Sequence, residues 1–377
     1  MARSKLMRHL LGAALVPVVA LAATATGAQE APVGRSIAYA LTNYQWEIYQ
    51  TPGNKVECPT GFNDGPREQF AKLFPEDGTK RKLVDTQLMR ENEIWRPDTS
   101  PDVLPFKEAV GTISYGMNLV GEISADDFIN PDGEKGVDNQ LYRAVGCIAN
   151  FNGAGGTLVQ FTNQNLQKHL YNRVVMELTD VHSLVNDESV TITTYRGREP
   201  LMTNATGQGF LPGGTQTVDM KFGKSLIHTF HGKIVDGVLL TEPGEFTWPA
   251  SGGFEDTALH KMRGLRMRLS LTPHRAEGML AGYTDIEAFH RMHNKVRSTH
   301  LQSYGQQAAA SLYKAMHRLA DGFPDPVSGA NTAISAAINA KFVQIYLRHP
   351  PQETSMDRGP QDEKKAAIAA VRSAPAR

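Results

Sequence analysis

The feature that most constrains the fold of this chain is a series of short segments in which apolar and polar residues alternate. In the clearest of them, Leu265, Met267, Leu269 and Leu271 alternate with Arg266, Arg268 and Ser270. Because successive side chains of a strand point to opposite faces of a sheet, this pattern predicts a strand with one buried and one exposed face. Comparable segments begin at Ile37, Val110, Val174, Val190 and Val218.

Turn signals separate these segments. Asp236-Gly237 lies between two apolar runs, which is typical of a two-residue hairpin turn. Several short strands separated by turns favour a sandwich or a barrel. We predict a mainly β chain in which residues 29–281 form a concanavalin-like or jelly-roll β-sandwich, with an irregular N-terminal segment that wraps it.

The pattern changes to a helical period at Gly282. Thr284-Asp-Ile-Glu287 is a capping box, in which Thr284 would cap a helix and Glu287 would bond back to it. An amphipathic helix follows, then a second helix over about 306–320, a short third helix over about 333–340 and a final strand from Phe342. We therefore predict a small C-terminal helical subdomain over 282–350 and a mobile tail over 351–377.

The N-terminus has the pattern of a secretory signal peptide. Arg3, Lys5 and Arg8 precede an apolar run, and small residues surround Ala28, where we expect cleavage. The alternative is a membrane anchor, but the run is shorter than the roughly 20 apolar residues that span a bilayer. We expect residues 1–28 to be removed and the rest to be periplasmic or extracellular, without membrane insertion.

The charge balance after this cleavage argues against nucleic acid as a partner. Removal of the three basic residues of the leader leaves 36 of 39 basic residues against 39 acidic residues, a net charge of −3. Binding to the phosphates of a nucleic acid needs a basic surface, which this balance does not favour.

Cys58 and Cys147 are the two cysteines of the chain. In an oxidising compartment an isolated pair of cysteines usually forms a disulfide. The alternative is two buried free thiols. Given the expected export, we predict the disulfide.

The segment from Asp126 to Asn139 is rich in side-chain oxygen atoms. Six candidate calcium ligands lie in it: Asp126, Asp127, Asn130, Asp132, Asp138 and Asn139. Calcium takes six to eight oxygen ligands, and a loop of carboxylates and amides can supply them. The same residues also build tight turns, in which their side chains accept hydrogen bonds from the neighbouring backbone. A calcium site and a set of ordinary turns therefore both fit this segment.

This segment continues as Gln140-Leu-Tyr-Arg-Ala-Val-Gly-Cys147 and resembles a motif of an uncharacterised family of exported bacterial proteins. The segments that begin Asn186-Asp-Glu, Val235-Asp-Gly and Ala320-Asp-Gly resemble the same family, so the resemblance spans most of the chain after residue 28. It implies export, and it implies no catalytic residues.

Histidines cluster near residue 290. Glu287 and His290 form a Glu-x-x-His pattern, which is half of a di-iron carboxylate motif, but the sequence lacks the second half. His293 and His300 continue the apolar face of the helix. We therefore predict that these histidines pack in the core and bind no metal.

No hydrolase motif is present, since the sequence contains neither Gly-x-Ser-x-Gly nor His-Glu-x-x-His. We predict an exported, non-catalytic binding or structural module of the bacterial envelope, with a glycan or another envelope protein as partner. The alternative is a secreted hydrolase that acts on a polysaccharide, because sandwiches host both roles. Paired carboxylates in a concave face would favour the hydrolase, whereas aromatic residues alone would favour binding.

Overall fold

Strands form most of the computed structural model, which describes residues 34–52, 56–63, 89–90, 93–94, 105–152, 156–168, 172–207, 209–250, 259–293 and 309–350. In chain order they are β1 (Arg35–Trp46), β2 (Met89–Arg90), β3 (Glu93–Ile94), β4 (Phe128–Ile129), β5 (Lys135–Val137), β6 (Val174–Val181), β7 (Asp187–Arg196), β8 (Gly214–Thr217), β9 (His228–Val235), β10 (Val238–Thr241), β11 (Gly244–Pro249), β12 (Leu259–Leu271), β13 (Arg275–Asp285), β14 (Gly322–Pro324) and β15 (Asn331–Arg348). The prediction of a mainly β chain is confirmed.

Helices connect or cover these strands. They are α1 (Gln140–Val145), α2 (Thr157–Lys168), α3 (Ile286–His293) and α4 (Ala309–Arg318), with 3-10 helices at Ala149–Phe151 and Met220–Leu226. Within the described part of the chain, no helix is long and apolar enough to span a membrane. The signal peptide and the tail, predicted at 1–28 and 351–377, lie outside the described residues.

Eight strands close into a barrel. Hydrogen-bonded neighbours follow the order β1-β6-β7-β9-β10-β12-β13-β15, and β15 pairs with β1 to complete the circle. All eight pairings are antiparallel. The predicted sandwich or jelly roll is not confirmed, because one sheet closed on itself buries its apolar face without a second sheet.

The barrel interior holds most of the apolar core. Val190 and Ile192 of β7 and Leu265, Met267 and Leu269 of β12 are all at most 3% exposed. They occupy alternate positions, as the sequence pattern predicts, and belong to one continuous cluster of buried side chains. The Asp236-Gly237 turn joins β9 to β10, with Val235 opposite Val238, which confirms the predicted hairpin.

Residues 105–139, here called the belt, run across the outside of the barrel. Met117 and Leu119 of the belt pack against Ala281 and Tyr283 of β13. The guanidinium of Arg266 donates to the carbonyl of Asn118 over 3.1 Å. The belt leads into α1, which is followed by Cys147, and the predicted disulfide to Cys58 is confirmed, with a Cα–Cα distance of 5.7 Å.

The helix at 286–293 begins one residue later than the predicted capping box requires. The carboxylate of Asp285 caps α3 by accepting a hydrogen bond of 2.8 Å from the backbone N–H of Ala288. Thr284 is still part of β13, and its hydroxyl lies 3.3 Å from Nε2 of His260. The predicted helix is therefore present, but its cap is Asp285.

Three local predictions are wrong. The alternating segment that begins at Val110, predicted as a strand, forms only isolated bridges, Ile113 with Ile129 and Met117 with Asp138. Residues 333–340, predicted as a helix, belong to β15, which pairs with both β1 and β13. Residues 220–222, predicted as part of a strand, begin a 3-10 helix that is capped by Asp219. In addition, β13 crosses position 282 and β15 returns to the barrel, so residues on both sides of that position share one sheet.

Candidate binding pocket

An apolar pocket lies inside the barrel. Its lining comes from seven strands: Leu41 and Tyr44 of β1, Val174 and Met176 of β6, Thr194 of β7, Phe246 and Trp248 of β11, Met267 of β12, Leu280 of β13, and Ile338 and Phe342 of β15. The gaps between the lining atoms, counted out to solvent, measure about 400 Å³, but only about 20 Å³ of this is open to a water-sized sphere. That is room for about one water molecule, so a larger occupant requires the lining side chains to move.

A break in the strand pattern places Leu41 and Tyr44 on the same side of β1. The pairing of β1 with β15 shifts register between Leu41 and Asn43, which is the geometry of a β-bulge. Without the extra residue, alternation would direct Leu41 and Tyr44 to opposite faces of the sheet. The bulge therefore adds a tyrosine to the pocket wall.

One wall of the pocket is aromatic. The rings of Phe246 and Trp248 are stacked with centroids 4.7 Å apart and planes at 28°. Tyr44 meets Trp248 edge-on at 6.5 Å and 88°. These are the two arrangements that aromatic pairs prefer. Met176 and Met267 contribute flexible thioether side chains to the same pocket.

No lining residue carries a charge. Behind the aromatic wall, Nε2 of His228 accepts a hydrogen bond of 3.1 Å from the backbone N–H of Thr247. Burial lowers the pKa of His228, while the carbonyl of Thr247, which lies 3.1 Å from the same Nε2 and accepts from it when the ring is protonated, opposes this shift. The hydroxyl of Thr194 is engaged with the carbonyl of His228. The pocket surface is therefore formed by apolar atoms of neutral side chains.

Helix α2 covers the barrel wall beside the pocket. β1 pairs with β6 only as far as Ala40 and Val175, so the end of β1 lacks this neighbour. There the side chain of Asn163 makes the two hydrogen bonds that a neighbouring strand would otherwise make. Its Oδ1 accepts from the N–H of Tyr44 over 2.9 Å, and its Nδ2 donates to the carbonyl of Tyr44 over 3.1 Å.

The described hydrogen bonds draw the predicted calcium ligands into separate contacts. Asp127 accepts hydrogen bonds from the N–H and hydroxyl of Ser124, as in an ordinary turn. Asp138 is buried and accepts from the N–H of Leu119 over 2.6 Å. Burial raises the pKa of Asp138, and the bond from Leu119 opposes this rise.

The other predicted ligands make different contacts or are exposed to solvent. Nδ2 of Asn139 donates to the carbonyls of Glu47 and Tyr115. Asn130 and Gly133 close a tight backbone turn, whereas Asp126 and Asp132 are exposed. Among the described residues, no group of three or more His, Cys, Asp or Glu side chains is placed to hold a metal ion. Calcium binding by Asp126, Asp127, Asn130, Asp132, Asp138 and Asn139 stays a prediction.

The histidine-bearing helix packs against α4. The ring of His290 lies 4.8 Å from that of Tyr313, and the hydroxyl of Tyr313 donates to the carboxylate of Glu287. Nε2 of His317 lies 3.9 Å from the same carboxylate. The side chains of His293 and His300 lie outside the described residues. For His290, these contacts agree with the predicted packing role.

Comparisons of this chain with protein families, with curated proteins and with solved structures found no match. The fold and the pocket therefore define the class of protein: a closed antiparallel barrel with an apolar, aromatic-walled interior. Because one fold hosts many functions, any statement about activity has to come from the pocket itself.

No motif in the sequence marks this pocket. Trp46 and Trp248 are buried in the barrel core, at 4% and 3% exposure. The signal that could have pointed to the aromatic wall is the alternation of Phe246 and Trp248 in β11. The other lining residues are ordinary core residues until the barrel closes.

Proposed function

We propose that this chain is an exported, non-catalytic binding module of the bacterial envelope that holds a small apolar molecule inside its barrel. The observation that carries the proposal is the pocket itself, a concave space whose lining is entirely neutral and apolar at its surface. Transfer of an apolar molecule into such a space is favourable by roughly 25 cal/mol for each Å² removed from water. About 20 Å³ is open there, and the unbranched side chains of Met176 and Met267 have to shift to enlarge it.

The apolar pocket surface also argues against a glycan, one of the two partners that the sequence suggested. A sugar ring carries several hydroxyl groups, and each would lose its hydrogen bonds to water on entry, at a cost of roughly 1–3 kcal/mol. The surface that the lining presents to the pocket is apolar, which disfavours a glycan in this space. A polysaccharide hydrolase needs two carboxylates beside the bond it breaks, and the lining contains none.

Export supports this role without being part of the pocket argument. The N-terminal sequence has the pattern of a signal peptide, and the Cys58–Cys147 disulfide fits an oxidising compartment. An apolar compound dissolves poorly outside the inner membrane, so a soluble carrier or scavenger is a consistent function there.

The test is the binding of N-phenyl-1-naphthylamine, a neutral fluorescent lipophile, to residues 29–377. We expect saturable fluorescence with about one site per chain. Leu280→Phe and Ile338→Phe place extra atoms in the pocket and should each weaken binding about tenfold or more. Val185→Phe adds the same bulk at an exposed position, 60% accessible, and should leave binding unchanged.

Two variants are used because a larger side chain can strain a packed core by about 1–3 kcal/mol. Circular dichroism spectra establish which variant is folded. Absence of saturable binding to the wild type, or equal binding by a folded pocket-filling variant, would overturn the proposal.

A further inference from the structure

We infer that the outer face of the belt is a docking surface for a basic, apolar segment of another protein. This site lies outside the barrel and is separate from the apolar pocket, so it does not depend on the proposed function. Two properties of the described residues carry the inference. Exposed apolar side chains are gathered on the belt, and acidic side chains without basic partners lie beside them.

The belt has a large share of the exposed apolar side chains. Isolated residues of this kind are ordinary on a protein surface, whereas a group of them marks an interaction surface. Met117 and Leu119 already hold the belt against the barrel, so the exposed residues are not needed for that contact. Of the fifteen large apolar residues that are exposed among the described residues, five lie in the belt, at 37% to 67% exposure: Val110, Tyr115, Val120, Ile123 and Ile129.

Backbone contacts bring these side chains to one part of the belt. Ile129 of β4 forms a bridge with Ile113, which is three residues from Val110. β4 also pairs with β5, which contains Gly136. A Cβ atom at Gly136 would lie 3.0 Å from Cγ1 of Ile123, so the Ile123 side chain lies directly over this glycine. Ile123 and Ile129 therefore share the surface of the β4–β5 hairpin.

The belt is acidic as well as apolar. It contains two basic and seven acidic residues, a net charge of 2 − 7 = −5. Because the whole chain after residue 28 has a net charge of −3, the remainder is positive by two. Glu122, Asp126 and Asp132 are exposed, and none of them forms an ion pair with a basic side chain of the described residues. The exposed apolar side chains are thus bordered by negative charge.

This combination selects one kind of partner. The partner has to cover apolar side chains and place positive charge beside the carboxylates. Lysine and arginine do both, since their apolar stems lie over apolar surface while their charged ends reach carboxylates. The same carboxylates would repel an anionic membrane or a nucleic acid. A second copy related by a two-fold axis would place this acidic surface against itself, which like-charge repulsion disfavours.

The experiment measures the binding of three fluorescein-labelled peptides to residues 29–377 by fluorescence anisotropy, with EDTA present so that no calcium neutralises the carboxylates. The first peptide repeats Lys-Leu-Ala-Lys-Leu-Ala-Lys twice, the second has Glu in place of each Lys, and the third has Ser in place of each Leu. We expect the first to bind saturably and at least about tenfold more tightly than the others, because only it offers both apolar area and positive charge. A rise in ionic strength from about 0.01 M to about 0.15 M should weaken its binding, because the Debye length falls from roughly 30 Å to roughly 8 Å.

A matched pair of double variants tests the apolar part of the surface. Val120→Ser with Ile123→Ser removes two side chains that are 59% and 67% exposed. It should weaken binding of the first peptide about tenfold, since both side chains lose the area that the peptide would cover. Val185→Ser with Val327→Ser makes the same kind of change at two exposed positions outside the belt and should leave the affinity unchanged. All four positions are exposed, so melting temperatures should stay near that of the wild type.

A second pair tests the charge. Glu122→Gln with Asp132→Asn should weaken binding of the first peptide about threefold to tenfold and reduce its dependence on salt. Glu188→Gln with Glu242→Gln removes two exposed carboxylates outside the belt and should change neither property.

Three results would overturn the proposed docking surface. The first is equal binding of the three peptides, or no saturable binding of the basic one. The second is belt variants that bind as their controls do. The third is a different occupant: binding to phosphatidylglycerol vesicles, or a dimer in sedimentation experiments, that Val120→Ser with Ile123→Ser abolishes. Binding of N-phenyl-1-naphthylamine tests the pocket separately, so failure of one site leaves the other intact.

Discussion

Asp321 has surroundings that favour its protonated form. Its carboxylate accepts hydrogen bonds from the backbone N–H and the hydroxyl of Ser335, which is fully buried. Although the residue has an exposed outer surface, loss of solvent around the carboxylate raises the pKa of Asp321 to about 6, and nearby Asp138 adds to the rise. The bonds from Ser335 oppose it. This residue joins the α4–β14 turn to β15 beside the belt.

The raised pKa predicts a pH dependence of stability. An aspartate in the unfolded chain ionises near pH 4. Between about pH 4 and pH 6 the folded protein therefore binds more protons at Asp321, and the free energy of unfolding falls as pH rises through this range. The stabilisation is fully present below pH 4 and lost above pH 6. Asp321→Asn, which resembles the protonated form, should lack this component.

Urea denaturation of the wild type and of Asp321→Asn at pH 4, 5, 6 and 7.5 measures the contribution of Asp321 to the free energy of unfolding. We expect the variant to gain stability relative to the wild type as pH rises. Carboxylates that do not interact with Asp321, such as Asp187 with its lowered pKa, are the same in both proteins and cancel in the difference. A difference that is constant over the four pH values would contradict the prediction.

At the scale of elements, helix α2 completes a strand pairing through one side chain. The amide of Asn163 bonds both the N–H and the carbonyl of Tyr44 at the end of β1, where β6 no longer reaches. An amide can do this because it carries a donor and an acceptor, as the backbone does. The helix is thereby tied to a strand whose tyrosine lines the pocket.

Loss of this amide should destabilise the protein. Asn163→Ala leaves two buried backbone groups of Tyr44 without these partners, and an unsatisfied buried group costs roughly 1–3 kcal/mol. We expect the free energy of unfolding to fall by about 1–3 kcal/mol and the amide hydrogen of Tyr44 to exchange faster. Gln164→Ala, at an exposed neighbouring position of the same helix, should change neither.

Hydrogen exchange followed by mass spectrometry and urea denaturation supply the two measurements. If Asn163→Ala and Gln164→Ala have the same stability and the same exchange at Tyr44, the side chain does not complete the pairing.

The elements differ in how well their sequences specify them. The alternation of apolar and polar residues predicts β7 and β12 correctly, because one face of each strand is buried and the other is more exposed. β15 does not, since its alanines between residues 333 and 340 favour a helix, and pairing with β1 and β13 overrides that preference. At 218–222 the reverse occurs, because the Asp219 cap turns an alternating segment into a 3-10 helix.

At the scale of the whole molecule, alternation identifies inward and outward residues but not their partners. Barrel closure depends on the pairing of Leu41 with Phe342, two residues at opposite ends of the described chain. A sandwich and a barrel can have the same alternating strands, so the sequence alone could not choose between them. The sequence alone could not predict the pocket either, because its eleven lining residues come from seven strands.

The Cys58–Cys147 disulfide is the long-range contact that the sequence did predict, since two cysteines allow only one pairing. It closes a loop with a sequence separation of 89. On the chain-entropy account such a crosslink stabilises by about 4–5 kcal/mol, because it restricts the unfolded chain. The bond joins the segment after β1 to the end of α1, so it also holds the belt against the barrel.

Removal of the crosslink should therefore lower stability strongly. Both sulfur atoms are buried, at 6% and 0% residue exposure, so reductant alone would act slowly on the folded protein. The paired substitution Cys58→Ala and Cys147→Ala avoids this delay and leaves no buried polar group. We expect it to lower the free energy of unfolding in urea by about 4 kcal/mol and the melting temperature by about 10 °C.

Reductant supplies the control. Wild-type protein unfolded in urea and refolded with dithiothreitol should approach the stability of the double variant, whereas dithiothreitol should not affect the double variant at all. Thiol titration of the denatured, unreduced wild type should detect no free thiol. Equal stability of the oxidised wild type and the double variant would contradict the prediction. It would mean that the pairing of β1 with β15 closes the barrel, and that the contacts of Met117, Leu119 and Arg266 hold the belt, without help from the crosslink.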